Sequence, residues 1–136
     1  MGNEVALYFA GNLKDGLSIL MVNSIFIAKV LDALIAESAD KDLLKAQLPF
    51  ITEEETDYTG VGVFVNFSHE EEAEAFKAES GALEGVTITS PLLPMGASAI
   101  LFITDGIIDM LEIFALDGEY PMEELSEFTL VVNRLQ

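Results

Sequence analysis

Cysteine is absent from this chain, histidine occurs once, at His69, and only 6 of its 136 residues are lysine or arginine. The first absence excludes disulfide staples, thiolate metal sites and thiol nucleophiles, and it fits a reducing, cytoplasmic compartment. A single histidine leaves a Ser-His-acid triad dependent on His69, and no serine stands in a GxSxG elbow. The spacings HExxH and the EF-hand loop are also missing. Gly60-Val61-Gly62 lacks the third glycine and the helix start of a phosphate-binding loop. No metal and no cofactor is therefore expected. With so few cations, nucleic acid is excluded as a partner, because its binding depends on neutralising phosphates with Lys and Arg. No basic segment followed by an apolar core and a cleavage site is seen, so export through a standard signal is not expected.

What is abundant is negative charge and apolar surface. Asp and Glu number 24, the formal net charge is −18, and hydrophobic residues make up 51% of the chain. That composition belongs to a folded domain, not to a disordered one, and the length suits one domain over residues 1–136. The charge favours cationic partners, or it is simply the acidity of a bacterial-type cytoplasmic protein.

The chain is organised around Ala97 to Pro121, ASAILFITDGIIDMLEIFALDGEYP. Asp105-Gly106 between two β-rich runs predicts a type I′ hairpin. A regular register from that turn sets Ile103 against Ile108, Leu101 against Met110 and Ala99 against Glu112. Both faces then read as largely apolar, which predicts a central hairpin covered on each side, with Glu112 the exception on one of them. Glu112 is read either as a carboxylate near the sheet end or as a recognition or catalytic acid.

Upstream, Asn3–Ala10 has β character. Leu17–Ser38 is apolar but interrupted by Asn23, Lys29 and Asp32, so it predicts a buried helix N-capped by Ser24 and not a membrane span. The same richness offers a surface for homo-oligomerisation. A second helix is expected from Ala39 or Asp40 to Leu48, ended by Pro49. Glu53-Glu54-Glu55 and Asp57 read as a solvated face before the first central strand. Three successive carboxylates in an extended chain do not converge on a divalent ion.

Tyr58–Ser68 alternates as a strand, with Val61, Val63, Val65 and Phe67 on one face and Tyr58, Gly60, Gly62, Phe64 and Asn66 on the other. Two glycines on one face predict a slot flanked by Tyr58 and Phe64, either a ligand groove or a place for packing and bending. Adding the nearby acids and the second Asp-Gly turn gives a candidate binding slot of Tyr58, Gly60, Gly62, Phe64, Glu112, Glu119 and Tyr120. His69–Glu79 reads as an exposed acidic helix or insertion, Gly81–Gly85 as a loop and Val86–Thr89 as a short strand. Pro91–Pro94 reads as a connector, and Phe128, Leu130 and Val132 alternate in a last strand. The fold class is therefore α+β, two N-terminal helices packed on a mainly antiparallel sheet of about 4–6 strands.

The segment TDGIIDMLEIFALDGEYP resembles the closing hairpin of small, mostly bacterial proteins of unknown function that carry a DG-x-I-x-x-LE-x-(F/Y)-x-x-DGE-x-P-like pattern. Leu44–Leu48 followed by Asp57–Gly62 resembles the earlier part of such proteins. The resemblance implies a shared fold of helices followed by an antiparallel sheet, and brings no catalytic residues.

Three functional readings stand at this point. One is an acidic interaction domain for a basic protein, as an immunity-type inhibitor of a cationic toxin. The second is a small-ligand module or a carboxylate-based hydrolase using the slot, Glu112, Asp57 and Glu119. The third is a structural domain with no site.

Overall fold

A computed structural model describes residues 24–133. Asn3–Ala10 and the start of the apolar run at Leu17 lie outside the described residues. The first helix, α1 (Ile25–Ala36), begins as its sequence predicts. Ser24 is extended (φ −85°, ψ 125°) and its hydroxyl accepts the Ile27 N–H at 3.1 Å, satisfying one orphan donor of the first turn. Phe26, Ile27, Val30, Leu31, Leu34 and Ile35 form its buried face. Helix α2 (Lys41–Gln47) tightens into a 3-10 turn, Leu48–Phe50, where Pro49 removes a helical donor. Among the described residues no helix is long and apolar enough to cross a membrane.

Six strands follow: β1 (Ile51–Tyr58), β2 (Gly62–His69), β3 (Gly81–Ser90), β4 (Leu93–Thr104), β5 (Ile107–Ala115) and β6 (Thr129–Val132). A 3-10 segment, Glu71–Phe76, links β2 to β3. The strands form one antiparallel sheet in the order β1-β2-β5-β4-β3-β6. Helix α1 lies against β3, β4 and β6, and α2 against β5. Buried residues of both helices and all six strands form one hydrophobic cluster. The α+β expectation, with two helices before an antiparallel sheet, is met.

The central hairpin turns at Asp105-Gly106, both with positive φ (53° and 83°), as its type I′ chemistry requires. Its register corrects the expectation. Ile103 pairs with Ile108, but the next pair is Phe102 with Met110, so Asp109 is an extra residue on β5. This bulge shifts every later pair by one residue: Leu101 faces Leu111 and Ile100 faces Glu112. Ala97, Ala99, Leu101, Leu111, Ile113 and Ala115 are buried on the helix-covered face, while Glu112 lies half-buried on the outer face. The outer face is also largely apolar, with Ile100, Phe102, Met110 and Phe114 around Glu112, but these side chains are only half-buried, so the expected cover on each side is not met among the described residues. A one-residue shift moves the carboxylate out of the core.

Two more boundaries differ from expectation. The acidic Glu53–Asp57 segment does precede the central strand β2, but it is itself a strand, β1, which lies at the sheet edge among the described residues. Tyr58–Ser68 is not one strand: Thr59-Gly60-Val61 is the turn of a β1–β2 hairpin, with Thr59 N–H donating to Gly62 O at 3.0 Å. Gly81–Gly85, expected as a loop, belongs to β3, whose irregularity between Leu83 and Val86 absorbs Glu84 and Gly85.

Candidate functional site

Reversing the chain at Gly60 decides the fate of the predicted slot. Tyr58 pairs with Val63, so its side chain falls on the core face with Val63, Val65 and Phe67, whereas Phe64 lies on the outer face. The two aromatics do not flank a common groove. Gly62 is packed by backbone: a Cβ there would collide with the Ile113 carbonyl oxygen and stand 3.0 Å from the Phe114 Cα. Its glycine serves strand packing. Glu112 sits between Phe64 of β2 and Ile100 of β4. Asp57 flanks Phe64 on the other side, so that side chain separates the two carboxylates. Glu119 is exposed in the turn after β5, where its N–H donates to Asp117 Oδ1 at 3.0 Å.

What the fold does bring together is Tyr58 and Tyr120. The Tyr120 N–H donates to the Gly60 carbonyl at 2.8 Å, which pins the connection after β5 onto the β1–β2 turn. Leu125, fully buried, anchors the same connection further along. The arrangement is completed by residues that the sequence did not single out as site residues. The Ser24 N–H donates to Glu53 Oε2 at 2.9 Å, and the Ser24 hydroxyl donates to Glu124. Two carboxylates therefore meet at the positive end of α1, where the helix dipole favours them. Glu53 reaches this place because it shares the core face of β1 with Tyr58, across the bulge between Glu53 and Glu55.

The electrostatics of this cluster are one-sided. Burial pushes the Tyr58 hydroxyl above its ordinary pKa, and the carboxylates of Glu124, Glu53 and Glu123 add to the rise. Tyr120 is pushed up further, first by burial, then by Tyr58 and Glu124. Tyr120 is 5% exposed, and its hydroxyl has no hydrogen-bond partner among the described residues. An enclosed phenol without a partner is uncommon and costly. Among the described residues no group of three His, Cys, Asp or Glu is placed to hold a metal ion.

At the opposite end of the sheet, a cleft of about 470 Å³ is lined by His69, Glu74, Lys77, Thr104, Asp105 and Asp109, with Ile107 and Ile108 behind them. His69 Nε2 lies 3.3 Å from Glu74 Oε2, Lys77 Nζ lies 4.0 Å from Glu74, and Thr104 Oγ1 donates to Asp109 Oδ2 at 3.0 Å. The histidine engages a carboxylate and the threonine engages another, so His69 has no hydroxyl to activate here.

A third feature is the β1 edge itself. Glu54, Glu55 and Asp57 are exposed, and none has an ion-pair partner among the described residues. Glu70, Glu71, Glu72 and Glu74 are exposed at the start of this edge, where the Glu70 N–H donates to Phe50 O at 2.9 Å. Glu123 and Glu124 are exposed beyond its Tyr58 end. Comparison with family models, curated proteins and solved structures finds no match to this chain.

Proposed function

We propose that this chain is an acidic protein-interaction domain that engages a basic protein along the β1 edge. The observation that carries the reading is the row of exposed carboxylates Glu54, Glu55 and Asp57, without an ion-pair partner among the described residues, on a strand at the edge of the described sheet. An edge strand offers free backbone donors and acceptors to another chain. Charges along it repel a second copy of the same strand and admit one of opposite sign. The net charge of −18 extends that preference to the approach, because a one-signed field raises the association rate of a cationic partner. Inhibition of a basic enzyme, as immunity-type proteins perform, is one form such binding takes.

The hydrolase reading gains nothing comparable. Asp57 and Glu112 are kept apart by Phe64, and Glu119 is exposed in a separate turn. The test of the proposal is the affinity for a Lys/Arg-rich peptide, and for the basic protein recovered from host lysate, measured over a range of salt. A steep fall in affinity between low and moderate salt is expected. An affinity that stays flat over that range contradicts the proposal.

A further inference from the structure

The Tyr58–Tyr120 cluster gathers phenol and carboxylate oxygens at one place. Tyr120 is nineteen-twentieths buried, and among the described residues its hydroxyl is enclosed and unpartnered and the charged or titrating groups acting on it are Tyr58 and Glu124. Glu124 acts on both phenols and Glu53 on Tyr58, and among the described residues both carboxylates are held by Ser24. Among the described residues no cation acts on either tyrosine. A buried polar atom and two nearby carboxylates, without a partner or counter-ion among the described residues, are complementary to an organic cation with several N–H donors. A guanidinium or alkylammonium donates to both carboxylates and to the phenol oxygens, and is attracted by the aromatic faces. A divalent metal ion fits less well, since no group of three ligating side chains is placed for it among the described residues.

We propose that Glu53, Tyr58, Tyr120 and Glu124 form a subsite for one Lys or Arg side chain of the basic partner. This deepens the reading of the β1 edge and rests on it. Tyr58 is the last residue of that edge, so a strand laid along Glu54–Asp57 arrives at the subsite. Entry requires Glu124, which is exposed, to turn from the Ser24 hydroxyl towards the incoming cation. Tyr120 itself stays in place, held by its backbone bond to Gly60.

The experiment follows the ring signals of the three tyrosines, Tyr8, Tyr58 and Tyr120, by NMR of the full chain. The probes are N-acetyl-arginine amide, its neutral citrulline counterpart at matched ionic strength, and a Lys/Arg-rich peptide. The expected result is a saturable shift of Tyr58 and Tyr120 with the arginine amide and none with the citrulline amide. Glu124→Gln should weaken that binding about tenfold, the scale of one charge-assisted hydrogen bond. Tyr120→Phe should weaken it as well while leaving Tm unchanged or raised, because the hydroxyl has no bond to lose among the described residues. Equal shifts with the citrulline amide, no shift of either tyrosine, or a lowered Tm in Tyr120→Phe would each overturn the proposal. The peptide separates the two readings. A peptide bound with steep salt dependence that moves neither tyrosine removes the subsite and leaves the acidic edge standing. Arginine amide that moves both tyrosines, with no peptide bound, supports the subsite's chemistry and removes the edge reading.

Discussion

The side-chain oxygen of Gln47 accepts the backbone N–H of Ile108 at 2.9 Å, across 61 residues of sequence. The amide nitrogen of the same side chain donates to Gly106 O and to Phe76 O, each at 2.8 Å. Gln47 is wholly buried, and these bonds tie the end of α2 to the β4–β5 turn and to the segment after β2. Gln47→Leu keeps much of the volume but takes the side-chain partner from the Ile108 N–H and the Phe76 carbonyl, while Gly106 O keeps the Ala78 N–H. A loss of about 3 kcal/mol is expected, read as a lowered midpoint of urea unfolding with an unchanged slope.

The bulge at Asp109 sets opposite fates for two adjacent side chains. Leu111 is fully buried on the helix-covered face, and Glu112 is half-buried on the outer one. Leu111→Ala should cost about 2–5 kcal/mol, whereas Glu112→Ala should fall within about 0.5 kcal/mol. Equal losses in thermal unfolding would mean that the bulge is misplaced.

Gly62 marks the close approach of β2 and β5. Its missing Cβ is displaced by the Ile113 carbonyl, which is backbone and cannot swing away. Gly62→Ala should cost about 3 kcal/mol or more. Gly118→Ala is the control, because open space surrounds that position and only its φ of 83° opposes a side chain. It should cost about 1 kcal/mol.

Asp32 supplies a pH dependence. Its partial burial in α1 raises the carboxyl pKa above the ordinary value, against a smaller lowering by Lys45. The folded state then binds its proton more tightly than the unfolded chain does. Asp32 therefore favours folding below the ordinary carboxylate pKa, and that contribution is lost as pH rises through its folded value. Asp32→Asn should be more stable than the parent at neutral pH, and the difference should shrink as the solution is acidified. Melting curves of both proteins across that range give the check, and a gap independent of pH would remove the carboxyl group as its cause. By the same sign, Tyr120 costs stability as pH climbs past 10.0, the ordinary tyrosine value, and Tyr120→Phe should resist alkali better.

The parts of this fold that could be read from sequence are those decided locally. Ser24 caps α1 through a residue three positions away, Pro49 ends α2, and Asp105-Gly106 turns the central hairpin, each through its own backbone chemistry. The register beyond the turn was not legible. Ile107 and Ile108 are both apolar, so the pattern near the turn fits either face, and only the packed sheet reveals Asp109 as the extra residue. The alternation of Val61, Val63, Val65 and Phe67 masked the turn at Thr59–Val61, which placed Tyr58 on the wrong face. Of the predicted slot, Tyr58 and Tyr120 do come close, through a backbone bond at Gly60 that no local pattern encodes. Glu124 carries no sequence signal at all. It matters only because its connection is drawn onto the N-terminus of α1.

The central claim is that the β1 edge is where a basic partner binds. Its most direct test compares two variants of equal charge. One carries Glu54→Gln, Glu55→Gln and Asp57→Asn on the edge. The other carries Glu84→Gln, Asp105→Asn and Glu127→Gln, all exposed and away from β1. Titration calorimetry with the Lys/Arg-rich peptide, at one fixed salt concentration, should show an affinity loss of about tenfold or more for the edge variant and a much smaller one for the control. Equal losses in the two would mean that the peptide senses only net charge, and that the edge is not a binding surface.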